Sequence, residues 1–348
     1  MYDQAIALTK VPGGSSRIAW QIGNEINSKK MAENIHGWAK DGKENLSPND
    51  ESIIPYYVEY YLAPTVEAIR KASQDSLGSD NRILIVLGSI ANAYNPNSRL
   101  WLDRLLEYRV KGTYAKSLAD RSVAELVNII AVHYLVSSVD ESWQPALDDL
   151  WNRWIGKGRV VGLWSTEELG KKRAMNGEGA STTLKVAARY LRWWGVRGIQ
   201  PEAGRVSFWG WRLSGNPGTS GNDGMQSLYK FLGDSPVREI NKGLDVESER
   251  PMETYLFQSV KQSRKRIAVV WSRVDSARKQ LREQSSDVAR PKTFLIPAEG
   301  WQGKIKATLQ VFGPPGILTI PATVTSTQNI YKVSPSQNIE LPRQATVL

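Results

Sequence analysis

Short apolar runs that stop abruptly, with helical spacing between them, constrain this chain more than anything else in it. Ile83 to Leu87 is uninterrupted and ends in Gly88-Ser89. Such a run marks a strand covered on both faces. Others span Arg17 to Gly23, Val127 to Val132, Val160 to Trp164 and Gly204 to Trp211. Between them, Pro55 to Ser73 places Val58, Leu62, Val66 and Ile69 at helical spacing, and Leu100 to Tyr108 carries Trp101, Leu102, Leu105 and Leu106 on one stripe. Ala115 to Leu118, Trp143 to Trp154 and Ala180 to Trp194 also read as helical. Strands alternating with helices predict a parallel sheet covered by helices, here in five units.

The polar ends of these strands carry the chemistry. The first closes with Gly23-Asn24-Glu25, the third with His133-Tyr134, the fourth with Thr166-Glu167 and the last with Trp209 and Gly210-Trp211-Arg212. Parallel α/β folds place their working residues at the C-terminal ends of strands. A lone Glu on a loop is usually solvated surface. Two acids ending two strands and facing one pocket are instead the minimum apparatus for breaking a glycosidic bond.

This order of motifs resembles the retaining glycoside hydrolases built on a TIM barrel, the group called clan A, over Arg17 to Arg212. In that clan the acid/base is the Glu of an Asn-Glu pair after strand four. The nucleophile is a Glu after strand seven, often preceded by Thr. The resemblance implies Glu25 as acid/base and Glu167 as nucleophile, with Asn24 bonded to the sugar's 2-hydroxyl. It also implies His133 and Tyr134 as groups beside the nucleophile, and Trp209 as the floor under the cleaved sugar. Glu168 competes with Glu167, because a Glu-x-Gly pattern fits residues 168 to 170. Alternation along a strand lets only one of the two face the cleft, and Glu167 is favoured. Trp164 reads as core. Where relatives often have Pro after Asn-Glu, Ile26 stands here.

Composition removes other chemistries. The 348 residues include no Cys and only two His, His36 and His133, so thiolate sites and a multi-histidine metal cluster are not available. No cofactor is expected. The net charge of +10 could suit a polyanion, but the cations are scattered apart from 171–173 and 261–266, and no nucleic-acid motif accompanies them. No apolar run reaches membrane-spanning length. The first ten residues lack the basic start and apolar core of a signal peptide. The 13 Trp suit a sugar-binding protein, although most are read as core.

The five units correspond to strands four to eight of a (β/α)8 barrel, which has eight. The expectation is therefore an incomplete TIM-barrel catalytic domain over 1–248, preceded by the tail of a helix at residues 2–10. An all-β sandwich follows over 249–348, with strands near 253–257, 267–271, 293–296, 304–312, 317–320 and 330–333 and a short helix at 274–284. Residues 27–51 read as a long polar loop. The implied activity is retaining cleavage of a β-linked oligo- or polysaccharide; a non-catalytic carbohydrate-binding barrel is the alternative. Secretion or a periplasmic location is expected of the full-length parent. An open five-stranded sheet leaves two edges unpaired, so the isolated chain is expected to be insoluble or inactive. The reading frame is predicted to continue upstream of Met1 through three more strand–helix units; sequencing that DNA checks it, and a nearby in-frame stop codon would contradict it.

Overall fold

The apolar runs become strands β1 (Ala19–Ile22), β2 (Leu84–Leu87), β3 (Ile129–His133), β4 (Gly162–Glu168) and β5 (Gly204–Phe208). The structure is a computed structural model. It describes residues 19–38, 46–77, 83–135, 143–168, 185–193, 204–208, 237–239, 245–248, 252–259, 266–272, 291–297, 306–313, 316–327, 330–336 and 346–347. The five strands form one sheet in the order β1-β2-β3-β4-β5, and the first four pair in parallel. Sequential order is what a chain gives when it always turns the same way round. Doubly wound sheets reverse direction and show orders such as 2-1-3-4-5. The described residues thus establish a mixed α/β fold with a five-stranded sheet in sequential order, four of whose strands are parallel.

The middle strands β2, β3 and β4 are buried over most of their length, as their uninterrupted apolar runs require. Every residue of β3 is buried. One face gathers Val86, Ile129, Ala131 and Trp164, so Trp164 is core as its sequence suggests. At the N-terminal end, Asn128 stands in for a ladder residue. Its Oδ1 accepts from Ile85 N at 2.8 Å, and its carbonyl accepts from Val161 N at 2.8 Å, tying β2 and β4 to the start of β3.

The helices follow the expected stripes with two differences. Residues predicted as a loop contain a helix, Lys29–Trp38. Ser28 caps it, its Oγ accepting from Met31 N at 3.3 Å, and Ala32 and Ile35 supply a narrow buried stripe. So few apolar residues gave little periodicity to read. The second difference lies within the long helix, which runs Ile53–Tyr56, passes through a π-helical turn at Tyr57–Leu62 and continues as Ala63–Leu77. Such turns insert one residue and re-aim side chains.

Two of those side chains reach far along the sequence. Glu59, 5% exposed, accepts from Lys111 N at 2.7 Å and from the Tyr108 hydroxyl at 3.2 Å. Burial first, then the charge of Glu59, pushes the Tyr108 phenol up to about 12, so it stays a donor. Tyr57, fully buried, donates to the carbonyl of Ile22 at 2.6 Å and accepts from Gly88 N at 3.3 Å. Its hydroxyl bridges the C-terminal ends of β1 and β2 where their ladder stops. Burial raises that phenol far above its ordinary range, which makes it a permanent donor. Gly88 permits the approach: a Cβ there would lie 2.6 Å from the Ile22 carbonyl oxygen.

The chain divides into two compact units, Met1–Glu167 with Gln200–Ser207, and Glu168–Ile199 with Phe208–Leu348. The second contains β6 (Val237–Glu239), β7 (Asp245–Glu247), β8 (Met252–Ser259), β9 (Arg266–Ser272), β10 (Thr293–Pro297), β11 (Ala307–Gly313), β12 (Gly316–Thr327), β13 (Ile330–Pro335) and β14 (Thr346–Val347). They join in one antiparallel sheet ordered β6-β8-β9-β14-β11-β12-β13-β10-β7. Leu256 and Val270 near one end share a core cluster with Phe294 and Val333 near the other, so the sheet curls over itself. The expected β domain is present as a single hydrogen-bonded sheet among the described strands.

β12 is three times longer than its sequence suggested, because Pro321 reads as a break. Pairing passes there from β11, along Gly316 to Ala322, to β13, along Ala322 to Thr327. The lost donor falls at the handover, and the Pro321 carbonyl still accepts from Ser336 N. On β8, Glu253 accepts from Arg189 Nη2 at 3.1 Å and Trp271 Nε1 at 3.1 Å, anchoring the helical segment 185–193 to this sheet. The expected helices at 2–10 and 274–284 lie outside the described residues.

Tyr57→Phe removes the bridge between β1 and β2 and leaves a buried carbonyl and amide unmet. The expected loss is about 1–3 kcal/mol of unfolding free energy, read as a lower denaturant midpoint at unchanged slope. An unchanged midpoint would contradict the bridge.

Candidate functional site

Strand geometry alone delivers the side chains to one rim. β1 ends in a turn whose first residue, Gly23, has φ +102°, and Glu25 follows at φ +46°. β3 ends in His133, and Tyr134 follows at φ +51°. Left-handed backbone at a non-glycine residue costs about 1–3 kcal/mol and persists only where its surroundings enforce it. Here it occurs at two of the residues singled out from the sequence. The β3–β4 register also shifts between Val132 and His133, bringing His133 opposite Glu167. Such irregularities re-aim side chains beside functional sites.

His133 is the centre of the arrangement. Its side chain is 1% exposed, and Nδ1 lies 3.2 Å from Glu25 Oε1 and 3.5 Å from Glu167 Oε2. The two carboxylate oxygens therefore stand no farther apart than those two legs together. In the tautomer that carries its hydrogen on Nδ1, and in the charged ring, Nδ1 can donate to either carboxyl group. On the far side of the ring, Nε2 meets Thr166 Oγ1 at 3.1 Å. Threonine's hydroxyl can donate to a neutral ring or accept from a charged one, so it serves either state.

Each carboxylate has further support. Glu167, 20% exposed, accepts from the Tyr134 hydroxyl, and its carbonyl accepts from Tyr134 N at 2.8 Å. Glu25, 32% exposed, is the more open of the pair. Its amide donates to Ser89 Oγ at 2.9 Å, and that hydroxyl donates to Asn24 Oδ1 at 3.2 Å. Asn24 itself is exposed at the rim. Asn27, three residues on, is 3% exposed and binds Ala91 at both ends of its amide, accepting from Ala91 N at 2.7 Å and donating to Ala91 O at 3.0 Å.

The structure thus brings Asn24, Glu25, His133, Tyr134 and Glu167 together. Glu168 is fully buried and accepts from the Tyr190 hydroxyl at 3.0 Å. Trp209 lies outside the described residues. Sequence reasoning passed over Ser89 and Thr166 as partners; a polar residue closing each apolar run was the signal available. Among the described residues no helix is long and apolar enough to cross a membrane.

No family model matches the chain, and no curated protein matches it. Among solved structures, it is similar to a β-porphyranase of glycoside hydrolase family 86 from the human gut bacterium Bacteroides plebeius. That alignment has 10% identity and a TM-score of 0.47, covering 99% of this chain and 59% of the other. A family 39 glycoside hydrolase from the gut symbiont Bacteroides cellulosilyticus aligns at 10% identity and a TM-score of 0.38, covering 100% and 77%. A family 51 α-L-arabinofuranosidase from Bifidobacterium longum aligns at 12% identity and a TM-score of 0.38, covering 94% and 65%. The chain spans 59% of the length of the first of these. These are distant resemblances, and none of them fixes the role of a residue here.

Proposed function

We propose that this chain carries the carboxylate pair of a retaining glycosidase acting on a β-linked oligo- or polysaccharide, with Glu25 as acid/base and Glu167 as nucleophile. The observation that carries the reading is the approach of both carboxylates to one buried imidazole nitrogen, at 3.2 and 3.5 Å. Retaining enzymes need a carboxyl separation of about 5–5.5 Å, and inverting ones about 6.5–9.5 Å to admit a water. The two oxygens that face Nδ1 stand no farther apart than those two legs together, which accommodates the first distance.

The residues then divide the work. Glu167 attacks the anomeric carbon while Glu25 gives its proton to the departing glycosidic oxygen, leaving a covalent glycosyl ester on Glu167. A water then enters; Glu25 takes its proton as the water oxygen displaces Glu167 and frees the sugar. Glu167 suits the nucleophile's part because the Tyr134 hydroxyl and His133 Nδ1 present hydrogens to an acceptor. Glu25 suits the proton-shuttling part because it is the more open to an entering water. Asn24 offers its amide to the sugar's 2-hydroxyl. We read the sheet as strands four to eight of a (β/α)8 barrel within 1–248, with a β-sandwich over 249–348, and the protein as secreted or periplasmic.

The test uses the full-length product of the reading frame with nitrophenyl β-glycosides. Glu25→Gln is expected to lower kcat by about 10²–10⁴-fold, with azide, which needs no general base, restoring turnover. Glu167→Gln is expected to lose at least as much, without azide restoring the retained product. Wild-type kcat in either variant would refute the assignment. Sugar binding without turnover in the wild type would indicate a carbohydrate-binding barrel.

A further inference from the structure

We infer that Ser89 is a positioning residue for the Asn24-Glu25 pair, holding both members at once through a single hydroxyl. The inference rests on the proposed glycosidase roles of those two residues. Ser89 follows β2, is completely buried and comes from a strand end to which no catalytic part has been given. Its three polar contacts all fall on three consecutive residues of the neighbouring strand's turn. Oγ accepts from Glu25 N at 2.9 Å, Oγ donates to Asn24 Oδ1 at 3.2 Å, and the Ser89 carbonyl accepts from Ile26 N at 3.0 Å.

These contacts have distinct consequences. The bond to the Glu25 amide fixes a residue whose φ of +46° would otherwise relax toward ordinary backbone, swinging its carboxylate away from His133. The bond to Asn24 occupies the amide's oxygen. An Asn side chain has one acceptor oxygen and one NH2 group, so tying down the oxygen leaves both hydrogens for a ligand. One hydroxyl thereby sets the position of the proposed acid/base and the donor character of its neighbour. A serine is required by charge and size: the group must accept from one partner and donate to the other within a fully buried space. Ser89 touches no reacting atom; it acts through Glu25 and Asn24.

Ser89→Ala in the full-length product tests this, because alanine keeps the carbonyl that holds Ile26 and removes only the hydroxyl. Residue-resolved hydrogen exchange is expected to show the Glu25 amide exchanging at least about tenfold faster, with the Ile26 amide within about twofold of wild type. On an aryl β-glycoside, kcat is expected to fall by about 10²-fold, with KM within about threefold, as misplacement of a reacting group does. Unchanged protection at Glu25 would overturn the inference whether or not the wild type is active. So would lost protection with kcat intact, or equal loss of protection at Ile26, which would mean that the whole turn had come apart. A wild type inactive on all β-glycosides would sink the glycosidase reading, leaving the positioning of Glu25 to be decided by the exchange result alone.

Discussion

A single buried imidazole stands between two carboxylates, and the rest of the site depends on it. Its Nδ1 lies 3.2 Å from Glu25 Oε1 and 3.5 Å from Glu167 Oε2, so one ring atom sets where both carboxyl groups point. The ring is 1% exposed, and Thr166 occupies its other nitrogen, so it has little freedom to turn away. Everything else in the rim orients groups toward this point: the shift in the β3–β4 register, the left-handed backbone at Tyr134, and the left-handed backbone at Glu25.

Strained backbone needs a rigid frame, and the frame is traceable residue by residue. Tyr57 closes the gap between the ends of β1 and β2 with one hydroxyl. Gly88 makes room for that approach, Ser89 holds the next turn, and Asn27 pins the chain to Ala91. The π-helical turn that aims Tyr57 inward also aims Glu59 at the backbone of Lys111. The contacts of Tyr57, Ser89 and Asn27 thus gather at the C-terminal edge of the sheet, where a parallel fold has its functional groups.

Much of this was legible in the sequence, for reasons that differ element by element. Ile83 to Leu87 and Val127 to Val132 are long enough and apolar enough that strand and burial could be read together. Glu25, His133 and Glu167 were named from the resemblance of their motifs to a family; the register shift and the left-handed backbone that bring them together were not legible. The helix Lys29–Trp38 could not be read, because only Ala32 and Ile35 mark its buried stripe and the rest is polar. β12 was cut short by Pro321, whose missing donor matters only if a partner needs it, and the partner changes at that very point. The strands after residue 249 were legible as short antiparallel β structure, but the order in which they pair was not, since hydrogen-bond partners leave no trace in composition. Ser89 and Tyr57 act through hydroxyls across 64 and 35 positions of sequence, a separation that periodicity does not encode.

In the proposed retaining mechanism Glu167 attacks the sugar itself, with no water between its carboxylate and the anomeric carbon. The stereochemistry of the first sugar released reports this directly. Proton NMR of the anomeric signal, taken within the first minutes of β-glycoside hydrolysis before mutarotation, is predicted to show the β anomer. First appearance of the α anomer would contradict the account, because it requires the wider separation that admits a water on the opposite face.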